Sequence, residues 1–123
     1  MIRRFLAWIK GRKTFTLNRV RDRITVREGS EEITLTVDAD ARVIVTRIRK
    51  AQEQLVKANQ KNADIKAREQ AARAFAESMF GSEQTDSLAR FYHDDYSCVL
   101  MICGLYFEKR LCKRITKAQK KLK

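Results

Sequence analysis

Cys98-Val99-Leu100-Met101-Ile102-Cys103-Gly104-Leu105-Tyr106-Phe107 is the long uninterrupted apolar run of this chain, and its reading decides the fold. A membrane-spanning helix needs about 20 apolar residues, so a run of this length belongs in a protein core. A buried strand is the competing reading. Against it, apolar positions continue at Tyr96, Val99, Cys103, Phe107, Leu111, Ile115 and Ala118, which is helical spacing carried well past strand length. The pattern predicts one helix over residues 95–120. Asp94 or Asp95 supplies its N-cap carboxylate, while Lys109, Arg110, Lys113, Arg114 and Lys117 lie toward the negative end of its dipole. The first half is apolar nearly all round, so other elements must cover several of its sides. The second half is a stripe with a cationic back.

Gly104 stands in the middle of this helix, where glycine is less favourable than alanine by about 1 kcal/mol. Its expected role is to admit a neighbouring backbone, that of the alanine-rich segment 65–79. On that reading Gly104→Leu overpacks the core and destabilises the fold by about 1–3 kcal/mol.

Upstream, residues 14–37 switch to a period of two. Phe15 and Leu17, then Ile24 and Val26, then Ile33, Leu35 and Val37 fall on one face, with Thr16, Thr25, Thr34 and Thr36 on the other. A small antiparallel β meander is predicted, with a hairpin loop at Glu28-Gly29-Ser30-Glu31 and a turn within residues 18–22. Its outer face carries Arg19, Arg21, Arg23 and Arg27, suited either to a phosphate backbone or to guarding exposed strand edges.

Asp38 and Asp40 then offer caps for a helix starting near Ala41, whose stripe is Ile44, Ile48, Ala51, Leu55 and Ala58. A further helix follows Asn62, with Ile65, Ala72, Phe75 and Met79 at helical intervals and a left-handed C-cap at Gly81. Ser82 caps a short helix through Leu88, Phe91 and Tyr92, and His93-Asp94-Asp95 turns into the closing helix. The fold class is therefore α+β, strands first and three to four helices after, in a single domain over residues 1–123. Residues 1–12 form a basic amphipathic arm that docks on the domain, on an anionic surface or in an assembly, and residues 117–123 a frayed basic tail.

The net charge of +12 is unevenly spread. Residues 1–27 carry nine Lys/Arg against Asp22, residues 109–123 carry eight with no acid, and the middle is slightly acidic. Two cationic ends point to an acidic partner, nucleic acid or an anionic surface. No secretory signal or membrane span is read from the sequence, and Cys98, Cys103 and Cys112, whose spacing fits no zinc or redox motif, are expected as reduced core residues of a cytoplasmic protein. Nothing in the pattern implies a metal, a cofactor or catalysis. His93 is alone and reads as a turn histidine beside capping acids, and the four glycines are too dispersed to cradle a phosphate.

Two segments carry a resemblance. Phe80-Gly81, Gln84, Leu88 and Phe91-Tyr92, followed by Ile102-Cys103-Gly104, Tyr106-Phe107, Arg110-Leu111, Ile115 and Ala118-Gln119-Lys120-Lys121, resemble a family of small prophage proteins from tail gene blocks of Gram-positive bacteria. The likeness extends over residues 33–121. It implies a non-catalytic tail assembly chaperone in the bacterial host cytoplasm, which binds the helical tape measure protein and helps tail-tube subunits assemble around it. The candidate partner-binding residues are Phe80, Phe91, Tyr92 and Tyr106, with Arg110 and Arg114 pairing acids of the partner, since aromatics and arginines dominate interface energetics. The alternatives are a nucleic-acid-binding module using Arg19, Arg21, Arg23 and Arg27, or an adaptor that stays in the assembled particle.

Overall fold

Alternation of β-branched and polar residues around a Gly-Ser pair builds the first element of the computed structural model, which describes residues 19–60 and 64–120. Strands β1 (Arg19–Glu28) and β2 (Glu31–Asp40) pair antiparallel from Glu28↔Glu31 to Arg19↔Asp40. The two-residue loop places Gly29 at φ +62°, with Ser30 in an ordinary conformation, the pattern of a type II′ turn. Val20, Asp22, Ile24 and Val26 share the inner face with Ile33, Leu35, Val37 and Ala39. The arginines and threonines face out. Across the outer face Arg19 and Arg21 donate to Asp38 at 2.5 and 3.4 Å, and Arg27 donates to Glu32 at 2.9 Å.

Two expectations change here. Over its described part, the turn predicted within residues 18–22 is strand, because Val20 is in phase with Ile24 and Val26 and pairs with Ala39. Asp38, expected as a helix cap, serves the arginines instead. Asp40 alone caps α1 (Ala41–Ala58), accepting from the backbone N–H groups of Arg42 and Val43. The first strand run at Phe15 and Leu17, the arm 1–12 and Asn62 lie outside the described residues, as does the end of the basic tail.

Helix α1 packs on α2 (Ile65–Phe91), which Asp64 caps by accepting from Ala67 N–H at 2.7 Å. Ala71, Ala72 and Ala76 are buried there and permit the close approach expected of the alanine-rich segment. Gly81 interrupts α2 at φ +81°, ψ 169°, an extended conformation open in practice to glycine alone rather than the left-handed cap the sequence suggested. The chain folds back at this point, so Arg73 before the break pairs with Asp86 after it, and with Glu77 one turn on. Gln84 repairs the break: its amide donates to the Phe80 carbonyl at 2.8 Å and to the Thr36 carbonyl at 2.7 Å, and accepts from Thr36 N–H at 2.7 Å.

The turn after α2 holds His93 and Asp94 at φ +54° and +63°, and Asp95 caps α3 (Tyr96–Tyr106) through the N–H groups of Ser97 and Cys98. The long closing helix is present but not uniform. A π-helical turn, Phe107–Leu111, separates α3 from α4 (Cys112–Lys120). Buried positions run Val99, Cys103, Tyr106, then Leu111, Ile115 and Ala118. The step from 106 to 111 is one residue longer than an α-helical turn allows, and the π turn absorbs that residue. The core gathers Val20, Leu35 and Val37 from the hairpin, Ile44 and Ile48 from α1, Phe75, Met79 and Leu88 from α2, and this inner face of the closing helix. Each large apolar side chain fully buried there contributes about 1.5–3 kcal/mol.

The long helix also departs from expectation at its sulfur and glycine positions. Cys103 is buried, and burial pushes its thiol up to about 12, but Cys98 is half-buried and Cys112 exposed, so not all three cysteines are core. A β-carbon at Gly104 would meet no atom within 4 Å; the residue faces away from α2, and the overpacking expected of Gly104→Leu has no basis.

Thr85 is fully buried, with a hydroxyl that has no hydrogen-bond partner among the described residues. Replacing a buried unsatisfied hydroxyl by a methyl removes a desolvation penalty of about 1–3 kcal/mol, offset in part by changes in local packing. Thr85→Val is expected to raise the urea midpoint at unchanged slope; a lower midpoint would mean that the hydroxyl has a partner, such as bound water.

Candidate functional site

The inner face of β1 is apolar except at Asp22, whose side chain is 2% exposed. Three residues one turn apart on the closing helix converge on it. Tyr106 Oη donates to Oδ2 at 2.8 Å, Arg110 Nη2 donates to Oδ1 at 2.8 Å, and Arg114 Nε lies 3.2 Å from Oδ2. The backbone N–H of Arg23 supplies a further bond to Oδ1 at 2.8 Å, and Arg114 Nη1 donates to the Arg21 carbonyl. Burial pushes the Asp22 carboxyl up, but the bonds from Tyr106, Arg23 and Arg110 and the charge of Arg114 outweigh it and hold the group below the usual carboxylate range. Burial, then the bond to Asp22, pushes the Tyr106 phenol well above its ordinary value.

This cluster locates most of the residues anticipated as partner contacts. Tyr106, Arg110 and Arg114 are brought together, facing Asp22 of their own chain, and Phe80 stacks on Tyr106 with ring centroids 5.6 Å apart. Phe80 and Tyr106 are buried, whereas Phe91 and Tyr92 meet edge to face at 5.1 Å and remain half-buried. On the hairpin, Arg19, Arg21 and Arg27 are paired with acids of β2, so the arginine row is a face of mixed charge on which Arg23 has no ion pair among the described residues.

Two apolar surfaces escaped the sequence reading. Where the end of α1 and the starts of α2 and α3 meet, a cleft of about 400 Å³ is lined by Leu55, Ile65, Ala72, Tyr96 and Leu100, with Arg68, Glu69, Asp94 and Asp95 at its rim. Ile65 is 73% exposed beside it. The second surface is the outer ridge of α3, where Met101 is 57% and Leu105 47% exposed on either side of Gly104. Isolated apolar residues at a surface are ordinary, but contiguous ones flanking a cleft mark a binding site. Ile65 carried a signal in the sequence, since a β-branched residue directly after a capping acid sits in the first helical turn, where few neighbours cover it.

Among the described residues, no group of three His, Cys, Asp or Glu side chains is placed to hold a metal ion, and no helix is long and apolar enough to cross a membrane. No protein family, curated protein or solved structure was found to match this chain.

Proposed function

We propose that this protein is a non-catalytic assembly chaperone of a phage or prophage tail, which holds an apolar helical stretch of the tape measure protein during assembly in the bacterial host cytoplasm. The resemblance carried by residues 33–121 supplies the class of partner. The observation that supports a binding role is the cleft at the helix ends, with Ile65 standing 73% exposed at its edge. A helical partner presenting apolar residues at i, i+3 and i+4 fits such a cleft, and the rim of Arg68, Glu69, Asp94 and Asp95 gives it polar contacts of both signs. Phe91 and Tyr92, still half-open, extend the candidate contacts. In this reading Phe80, Tyr106, Arg110 and Arg114 act through the fold, holding the closing helix against the hairpin.

Co-expression with the tape measure protein of the same gene block tests the proposal. The partner is expected to stay soluble and to co-purify with the wild-type chain, and Ile65→Asp is expected to weaken the complex by about 10-fold or more, as loss of a well-buried apolar anchor does. Equal aggregation of the tape measure with and without this protein overturns it. Nucleic-acid binding through Arg19, Arg21, Arg23 and Arg27 would instead appear as retardation that falls steeply with salt. Recovery of the chain in purified particles would favour the adaptor reading.

A further inference from the structure

The cleft at the helix ends has a defined chemistry. Leu55, Ile65, Ala72 and Leu100 make it apolar, and among the charged residues that line it Glu69, Asp94 and Asp95 outnumber Arg68. None of the three acids forms an ion pair among the described residues. Lys57 and Lys66, close by in sequence, do not line it. The first turns of α2 and α3 each bring about half a positive charge, which Asp64 and Asp95 cap, and the end of α1 brings the opposite sign, so the cleft stays net negative. Its ligand pairs an apolar face with positive charge.

Residues 1–10, ahead of the described part, carry that combination. Ile2, Phe5, Leu6 and Ile9 recur at i, i+3, i+4 and i+7, with Arg3, Arg4 and Lys10 between and beyond them, and no acid precedes Asp22. The tether is long enough. Arg19 pairs with Asp40, the residue just before α1, so the chain enters β1 beside the start of α1 while the cleft lies at its end. The 18 residues of α1 cover about 27 Å. Arg19 follows Ile9 by ten residues, which extend up to about 33 Å.

We infer that residues 2–9 dock into the cleft of their own chain, apolar side inward, with the basic side chains turned to Glu69, Asp94 and Asp95. A helix this short is marginal in water by itself, and burial of its apolar side in the cleft is what stabilises it. A tether raises the local concentration to about the millimolar range, so a contact too weak to hold two separate molecules holds within one. The net charge of +12 opposes the same docking between two copies. The arm is then an internal competitor for the cleft: a partner helix enters only as the arm leaves. That last step, unlike the docking itself, rests on the cleft being the partner site proposed above.

Trp8, the single tryptophan of the sequence, reports on the arm without a label. In the full chain with no partner present, its fluorescence is expected to resist acrylamide quenching relative to the urea-unfolded chain, equally at every protein concentration. Ile65→Asp and Phe5→Asp are each expected to raise quenching toward the unfolded value, and Glu69→Lys to raise it part of the way. Ile65 and Glu69 are exposed, so the helical circular dichroism should be retained. Leu105→Asp, at an exposed apolar site outside the cleft, is expected to leave Trp8 shielded. With the tape measure protein of the same gene block, Phe5→Asp is expected to tighten the complex by about 2–10-fold, a factor set by the fraction of chains whose cleft the arm fills. Because Trp8 is read without that protein, failure of the tape measure to bind leaves the docking result standing. A Trp8 as open as in the unfolded chain overturns the inference, as does shielding that survives Ile65→Asp or vanishes on dilution. Glu69→Lys without effect overturns the role of the acidic rim, and a complex weakened by Phe5→Asp overturns the competition.

Discussion

Asp22→Ala is expected to lower the free energy of unfolding by about 2–4 kcal/mol at neutral pH, below the upper end for a broken buried ion pair because water can still reach the two arginines. Asp22 is 2% exposed while Arg110 and Arg114 are each nearly half exposed, so the loss falls mainly on the Tyr106 hydroxyl, which is left without an acceptor beneath the hairpin, and on the attraction that ties β1 to the closing helix. The pH dependence has a definite sign. The Asp22 carboxyl titrates below its ordinary value in the folded chain, so the unfolded state takes up the proton first on acidification. Its stabilisation is fully present above the ordinary carboxylate range and is lost as the pH falls through about 4 and below. The gap in urea stability between wild type and Asp22→Asn should therefore narrow on acidification. A gap constant from pH 7 to pH 3 would mean that the ionised carboxylate contributes nothing.

Gly81→Val is expected to be comparably costly, by about 3 kcal/mol, with no contribution from packing. A β-carbon at Gly81 would find open space, so the whole effect comes from the backbone, which at φ +81° and ψ 169° lies where an L-residue is strained and a β-branched one most of all. At this chain length each kcal/mol lowers the melting temperature by about 3–5 °C, so a drop of order 10 °C is the expected reading. A D-alanine introduced at the same position by semisynthesis should leave the melting temperature unchanged or raise it, because the mirror-image residue favours this conformation. If Gly81→Val unfolds like the wild type, the chain must be able to relax around the break without loss.

The hairpin and the first helix were legible because their patterns are local. Alternation fixed Ile24, Val26, Ile33, Leu35 and Val37, the Gly-Ser pair fixed the loop, and Asp40 announced the helix start. The closing helix was legible as a helix but not in its phase. Cys103, Phe107, Leu111 and Ile115 are each four residues apart, and every such step overshoots the 3.6-residue turn, so a continuous α-helix would have carried the last of them off the core. That drift was the trace of the π turn. Asp22 was visible as an acid on an apolar strand face, yet its partners lie 84 and 88 positions away, a separation at which residue spacing carries no information. For Gly104 the sequence shows that a helical glycine is unfavourable; it faces open space because the buried face of its helix runs through Val99, Cys103 and Tyr106.

Gln84 has a consequence for how the sheet can grow. A side-chain amide presents a C=O and an N–H side by side, as a peptide unit does, with a second N–H that here goes to Phe80, and it satisfies both backbone groups of Thr36 on the free edge of β2. It is in effect a strand one residue long, supplied by a helix. A peptide laid along this edge would lose both of its bonds in the middle and would collide with the helix that carries Gln84. At Thr36 the β2 edge is thus closed to templating by another chain without proline, bulge or buried charge. A strand added across the middle of the sheet meets this plug on the β2 side, and among the described residues no side-chain amide plugs the β1 edge in the same way.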